Sequence, residues 1–292
     1  MNTKRILYIF TRTPLHVGAG SSVGAIDQPI IRERHTGFPV IPASSLKGTF
    51  SDEWNERNGD GKLNRGPEGN WLFGLGAGTE GAAGALQFTE ARLLAFPIRS
   101  ARGSFAWITS PLVLRRAYRD GAIDVNLSEL SGPSDEQALF ATNGPLAIDG
   151  KVVLEEYTFA HAGDLPRGLA NALANLLDDP VWKEVDNRLV ILSDGMMSYF
   201  ARNACEVAQH VRIDDETGTA ASGALFNQEN VPSETLFYAV LHAFQGRGAQ
   251  FRDKTAEEAL EAFKQKVDQR KNVFQFGGDA STGLGYCTVK LA

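Results

Sequence analysis

Between residues 13 and 48 the chain gathers side chains able to act on a phosphate ester. His16 stands beside Gly18 and Gly20, Asp27 lies between Gly24 and Pro29, Arg32 and Arg34 follow, and Ser44, Ser45 and Lys47 close the block. A glycine loop turns backbone N–H groups toward phosphate oxygens, and so does the first turn of a helix. Ser44, Ser45 and Lys47 suit such a helix start; a capped helix with one solvated lysine is the plainer account. The glycines and Pro29 keep Asp27 out of regular structure. There its carboxylate could ligate a divalent cation or accept a proton from a ribose hydroxyl, unless it simply forms a turn. His16 could assist in acid–base work, or be structural. Arg32 and Arg34 alternate on one face of an extended segment, a spacing that follows a phosphate backbone.

Two other stretches carry unusual composition. Residues 276–286 hold Gly277, Gly278, Gly283 and Gly285 between two strands near the chain end. A dinucleotide fingerprint sits instead between a strand and a helix early in a βαβ unit. These glycines allow another backbone, protein or RNA, to come close, or make a tight hairpin. Residues 214–232 join two strands but are far longer than a hairpin turn. Within them Leu225 and Phe226 are apolar in a polar setting, fit to pack on the domain or to wedge against bases. Arg115, Arg116, Arg119, Arg247 and Arg252 read as solvated faces.

The elements that must position these groups follow from periodicity and punctuation. Residues 5–12 are β-branched and aromatic and predict a strand. A helix is expected from a cap at Ser44 or Ser45 to about Arg57, then an irregular insertion over 58–84 broken by Trp71, Leu72 and Phe73. Strands are expected at 85–95, 105–114, 151–159, 189–192, 207–213, 236–244, 273–276 and 286–291, with loop over 120–150. Helices are expected over 166–177, after a cap at Asp194, and from a Thr255 cap to about Lys271. Uneven separations and large inserts suit an α+β sandwich with decorated loops rather than a regular βαβ repeat.

With 292 residues, 43% of them hydrophobic, the chain can bury a sizeable core. No run of about 18 apolar residues exists to span a membrane, and residues 1–5 lack the pattern of a signal peptide. Cys205 and Cys287 show no zinc spacing to each other or to the five histidines, which points to a reducing cytoplasm. The net charge of −6 weighs against a protein that grips nucleic acid alone, unless its basic residues share one face.

The block Thr13–Gly48, the glycine loop Gly277–Tyr286 and the insert running through Leu225, Phe226 and Pro232 to Phe237 together resemble the RAMP superfamily of CRISPR proteins. The similarity is closest to the backbone subunit of the type III-B (Cmr) effector. The equivalent type III-A subunit shares the first block and the glycine loop but lacks this form of the insert. The resemblance implies an α+β, RRM-like or ferredoxin-like palm with a β-hairpin thumb near 212–235. It also implies one domain over 1–292, with 58–185 insertion-rich. Copies would stack along guide RNA with other Cmr subunits, the thumb displacing nucleotides at intervals, and the paired target RNA would be cut beside each. It implies catalysis by Asp27 with a divalent cation (Mg or Mn), through attack of a 2′-hydroxyl that leaves a cyclic phosphate. His16 and Glu229 would assist. Gly18, Gly20, Arg32, Arg34, Ser44, Ser45, Lys47, Leu225, Phe226, Gly277, Gly278, Gly283 and Gly285 would touch RNA. Gln228 and Asn230 replace a second acid and a tyrosine frequent in relatives, which shifts the burden onto Asp27. A non-catalytic RNA-binding scaffold, or the equivalent type III-A backbone subunit, is the alternative.

Overall fold

The computed structural model describes residues 3–20, 24–57, 63–75, 81–128, 130–214 and 216–292. Strand β1 (Thr3–Thr11) buries Ile6, Leu7, Tyr8, Ile9 and Phe10 in succession, so both its faces are covered. Isolated bridges hold the chain from 12 to 39, which leads into β2 (Val40–Ile41). Helix α1 (Ala43–Asp52) has Pro42 at its N-cap with no side-chain cap, so Ser44 and Ser45 lie within its first turn. It ends before Arg57 because β3 (Asn55–Arg57) pairs with β4 (Leu63–Arg65), while Trp54 turns inward against Phe73. The expected irregular stretch 58–84 contains helix α2 (Pro67–Phe73); proline suits a first helical turn, where its missing N–H needs no partner. Residues 58–62 and 76–80 of that stretch lie outside the described residues, as do Ser21 and Ser22.

Next come β5 (Leu86–Phe88), β6 (Ala91–Arg99) and β7 (Phe105–Thr109). The strand expected to reach 114 stops at Thr109: Ser110 caps helix α3 (Pro111–Asp120), accepting from the Val113 N–H. Strand β8 (Gln137–Leu139) interrupts the expected loop, and the single strand expected at 151–159 is a hairpin of β9 (Lys151–Leu154) and β10 (Tyr157–Gly163). Helix α4 (Leu169–Ala174) is shorter than expected; α5 (Val185–Arg188), β11 (Leu189–Ile191) and α6 (Asp194–Asn203) follow. Ser193, not Asp194, caps α6, and Asp194 instead accepts from the Leu112 N–H of α3. Strands β12 (Glu206–Ile213), β13 (Ala220–Asn230) and β14 (Leu236–Ala243) precede helix α7 (Ala256–Gln269). Thr255 and Glu258 form the capping box of α7, satisfying each other's backbone N–H. β15 (Val273–Gln275) and β16 (Tyr286–Leu291) close the fold.

One mixed sheet runs β15-β16-β1-β14-β6-β7-β11-β8-β10-β9, with β2 on β6 and β5 on β14. The α+β class expected from the sequence is the class observed. Phe50 of α1 meets Phe263 of α7 and Phe274 of β15, each at 5.0 Å, so both helices are pinned by one aromatic cluster. Apart from this sheet, β12 and β13 form a two-stranded ladder of their own, from Glu206↔Asn230 to Ile213↔Ala220, with a register shift between Val211 and Ile213. This hairpin spans 206–230 and is rooted further back than 212. Most of what read as loop between 214 and 232 is strand, because ladder pairing with β12 satisfies its backbone.

Candidate active site and nucleic-acid interface

The chain leaving β1 is threaded between the root of the β12–β13 hairpin and the loop joining β15 to β16. Leu15 and Val231 exchange backbone hydrogen bonds at 2.8 and 2.9 Å, and the Gly278 N–H donates to the His16 carbonyl at 2.9 Å. His16 is therefore gripped from both sides and is buried. Its Nδ1 lies 2.7 Å from the Glu229 carbonyl. A carbonyl only accepts, so Nδ1 carries a proton, which leaves Nε2 as the ring nitrogen able to offer a lone pair. A Cβ at Gly18 would stand 2.9 Å from Nε2, so glycine there leaves that nitrogen uncovered.

Asp27 is exposed, and its Oδ2 accepts from the Asn227 N–H at 2.8 Å. On either side of Asn227 the flanking chain is laced to the hairpin: the Gln28 N–H donates to the Asn227 carbonyl at 3.0 Å and the Glu229 N–H to the Gln28 carbonyl at 2.9 Å. His16, Gly18, Gly20, Asp27, Gln28 and Pro29 line one cavity of about 270 Å³. The hairpin root, through Asn227 and Glu229, holds this carboxylate and imidazole at one cavity.

Glu229 and Arg32 lie elsewhere. Glu229 is buried at 4% exposure; Oε1 accepts from Arg32 Nη2 at 2.5 Å and Oε2 from the Ile30 N–H at 3.0 Å. Arg34 is exposed in the following turn, so the two arginines do not share an outward face. Lys47 is exposed on α1, and neither it nor Arg34 has an ion-pair partner among the described residues. Arg119 pairs with Asp120 on a solvated face, as expected, but Arg116 does not: it reaches inward to the buried carboxylate of Glu33.

In the glycine loop, Gly277 (φ 75°) and Gly285 (φ 79°) serve the protein's own backbone. A Cβ at Gly277 would meet the His16 carbonyl at 2.0 Å, and one at Gly285 the Phe276 carbonyl at 1.9 Å. Gly283 (φ 89°) and Gly20 (φ 86°) face open space, while a Cβ at Gly278 would lie 3.8 Å from the His16 ring. The hairpin exposes Val207, Val211, Ile213 and Leu225, the last 66% exposed. Phe226 is half-buried and stacks on His210 across the ladder, centroids 5.1 Å apart.

Residues 9–288 match the RAMP superfamily model. The chain belongs to the RAMP superfamily. It is 32% identical over 293 residues to the CRISPR system Cmr endoribonuclease Cmr4 of Pyrococcus furiosus, covering 97% of this chain and 94% of that one. The structure of oligomeric Cmr4 from Pyrococcus furiosus superposes with a TM-score of 0.70 at 26% identity, covering 99% of each chain. A type III-B Cmr-beta complex bound to cognate target RNA shares the fold, with a TM-score of 0.72 at 20% identity over 99% of this chain and 97% of that one.

The β12–β13 hairpin stands apart from the main sheet. Here a link that sequence reading missed joins the hairpin root to the glycine loop: Gln228 Nε2 donates to Asp279 Oδ2 at 2.7 Å. An aspartate inside a glycine run was its only signal. No group of three or more metal-ligating side chains occurs among the described residues. Asp27 nonetheless fits a magnesium-type site, because such ions keep several waters and take one or two carboxylates plus substrate phosphates. No helix among the described residues is long and apolar enough to cross a membrane.

Proposed function

We propose that this chain is the repeated backbone subunit of a type III-B CRISPR effector, holding guide RNA and cutting the paired target RNA in the cytoplasm. One observation carries the reading: Asp27 and His16 line one cavity at the root of a projecting, apolar-faced hairpin. Likeness to the Cmr4 endoribonuclease over nearly the whole chain supports it. Likeness to an oligomeric Cmr4 supports stacking of copies, alongside other Cmr subunits. The acidic net charge is then no obstacle, since each copy needs only a short basic track with Arg34 and Lys47 on it.

In this reading the hairpin, through Leu225 and Phe226, parts neighbouring bases and bends the strand so that one phosphodiester faces the cavity. The ribose 2′-oxygen attacks the adjacent phosphorus; a P–O bond forms and the bond to the 5′-oxygen breaks. The 2′-hydroxyl proton passes to Asp27 or to Nε2 of His16, and a proton returns to the departing 5′-oxygen. The products are a cyclic phosphate and a 5′-hydroxyl end. When bound by Asp27, a divalent cation supplies charge neutralisation at the phosphate. Open N–H groups at Gly18 and Gly20 suit phosphate oxygens; Gly283 leaves room for a backbone to approach, its own N–H being spent on the Ala280 carbonyl; and Ser44 and Ser45 lie in the first turn of α1, where N–H groups are free for an anion.

The test is Asp27→Ala in the complex assembled with guide RNA. Assembly and target binding are expected to stay intact while cutting falls by roughly 10²–10⁴-fold, and chelation of divalent ions stops the parent. Cutting at the parental rate by the variant refutes the assignment. A parent that binds target but never cuts it marks a scaffold.

A further inference from the structure

We propose that Arg32 and Glu229 form a positioning unit that locks the hairpin root to the loop carrying His16 and Asp27, rather than a phosphate contact and a proton carrier. The proposal rests on the reading of that loop as the cutting site. Its ground is the number of distant stretches the pair unites. Arg32 Nη1 donates to the Gly37 carbonyl at 2.8 Å and to the Ala201 carbonyl at 2.6 Å. Its Nη2 donates to Glu229 Oε1 at 2.5 Å and to Cys205 Sγ at 3.3 Å. Four acceptors from four places occupy the fork, so no free pair of N–H groups remains for bidentate capture of a phosphate. Ala201 belongs to the last turn of α6, where carbonyls lack helical partners and a cation is favoured.

Glu229 carries the other half of the link. Through its carboxylate it holds the Ile30 N–H, through its own N–H the Gln28 carbonyl, and through its carbonyl the His16 ring. One residue thus touches the chain on both sides of Asp27 and also fixes the tautomer of His16. With one oxygen on Arg32 and the other on Ile30, the buried carboxylate has no open face toward the cavity, and it does not line it. Burial pushes the Cys205 thiol up to about 12, so the sulfur stays a neutral acceptor and does not compete with Glu229 for the guanidinium charge. The arrangement gives the hairpin a rigid register relative to the reacting groups: what the hairpin does to a strand is delivered at a fixed offset from Asp27.

The experiment compares Arg32→Ala and Arg32→Lys with the parent, each assembled with guide RNA. Three quantities are read: single-turnover cutting at saturating target, target affinity as a function of salt, and amide exchange over residues 28–31. Arg32→Ala is expected to cut at least tenfold slower at unchanged affinity and unchanged salt slope, with faster exchange over 28–31. Arg32→Lys, which keeps the charge but loses the fork, is expected to fall between, and it keeps the question open to test if the alanine variant does not assemble. Weaker binding with a salt slope shallower by about 1 places Arg32 on a phosphate and overturns the proposal. Parental cutting in both variants overturns it too. If the parent itself does not cut, the nuclease reading fails separately; exchange over 28–31 then decides alone, and parental exchange in Arg32→Ala overturns the link.

Discussion

Gly277 and Gly283 sit in the same loop with almost the same positive φ, 75° and 89°, but face different surroundings. Alanine at either costs about 1–2 kcal/mol of left-handed backbone strain, and in a comparison of the two variants that cost cancels. What remains is contact. At Gly277 the new Cβ would lie 2.0 Å from the His16 carbonyl, whereas at Gly283 it meets nothing within 4 Å. To reach ordinary contact the carbonyl must withdraw by more than an ångström, which breaks the 2.9 Å hydrogen bond it accepts from Gly278. Overpacking of this kind costs about 1–3 kcal/mol and the lost hydrogen bond about 0.5–1.5 kcal/mol. Gly277→Ala is therefore expected to be less stable than Gly283→Ala by about 2–4 kcal/mol. For a chain of this size that is a difference of several degrees in Tm, read by calorimetry or thermal fluorescence on the full chain. Because His16 moves, Gly277→Ala should also cut target more slowly than Gly283→Ala. Equal melting temperatures would refute the claim that Gly277 exists to admit the His16 backbone.

Two other expectations concern the hairpin and its foot. Burial, then the nearby Asp179, pushes the Glu234 carboxyl up to about 7. An acid that holds its proton more tightly when folded loses stability as pH rises from its unfolded value through that folded value. Glu234→Gln should thus match the parent near pH 4 and melt higher above pH 7, by a few degrees at most because the group is half-exposed; a variant less stable at pH 8 contradicts this. On the hairpin, Phe226→Ala removes the ring stacked on His210 while leaving the backbone ladder. Loss of a base stack of about 1–3 kcal/mol predicts target binding weaker by roughly 5–150-fold and blurred cut spacing, measured by filter binding and fragment sizing. Parental values for both would remove the wedge.

Legibility in the sequence tracked how local each cause was. The Thr255 cap of α7 and the apolar run of β1 depend on residues close in sequence, and both were readable. Strand β13 was not, since Ala, Ser, Gly, Asn and Gln there have little strand preference and the partner β12 imposes the ladder. At the site, residue type marked Asp27 and His16 as candidates. That they share a cavity depends on bonds spanning some 200 positions, such as Asp27 to Asn227, which no periodicity encodes. The glycines of 277–285 announced a close approach; only coordinates identify the approaching chain as the segment around His16. Arg32 and Glu229 were sorted by charge type, which says nothing of a pairing 197 residues apart.

Contributions from residues 14–31, 227–231 and 276–285 must all be present before the cavity exists. The last of these is translated long after the first, and β16, which it leads into, flanks β1. A half-made polypeptide therefore holds an aspartate and a histidine with nothing to bring them together.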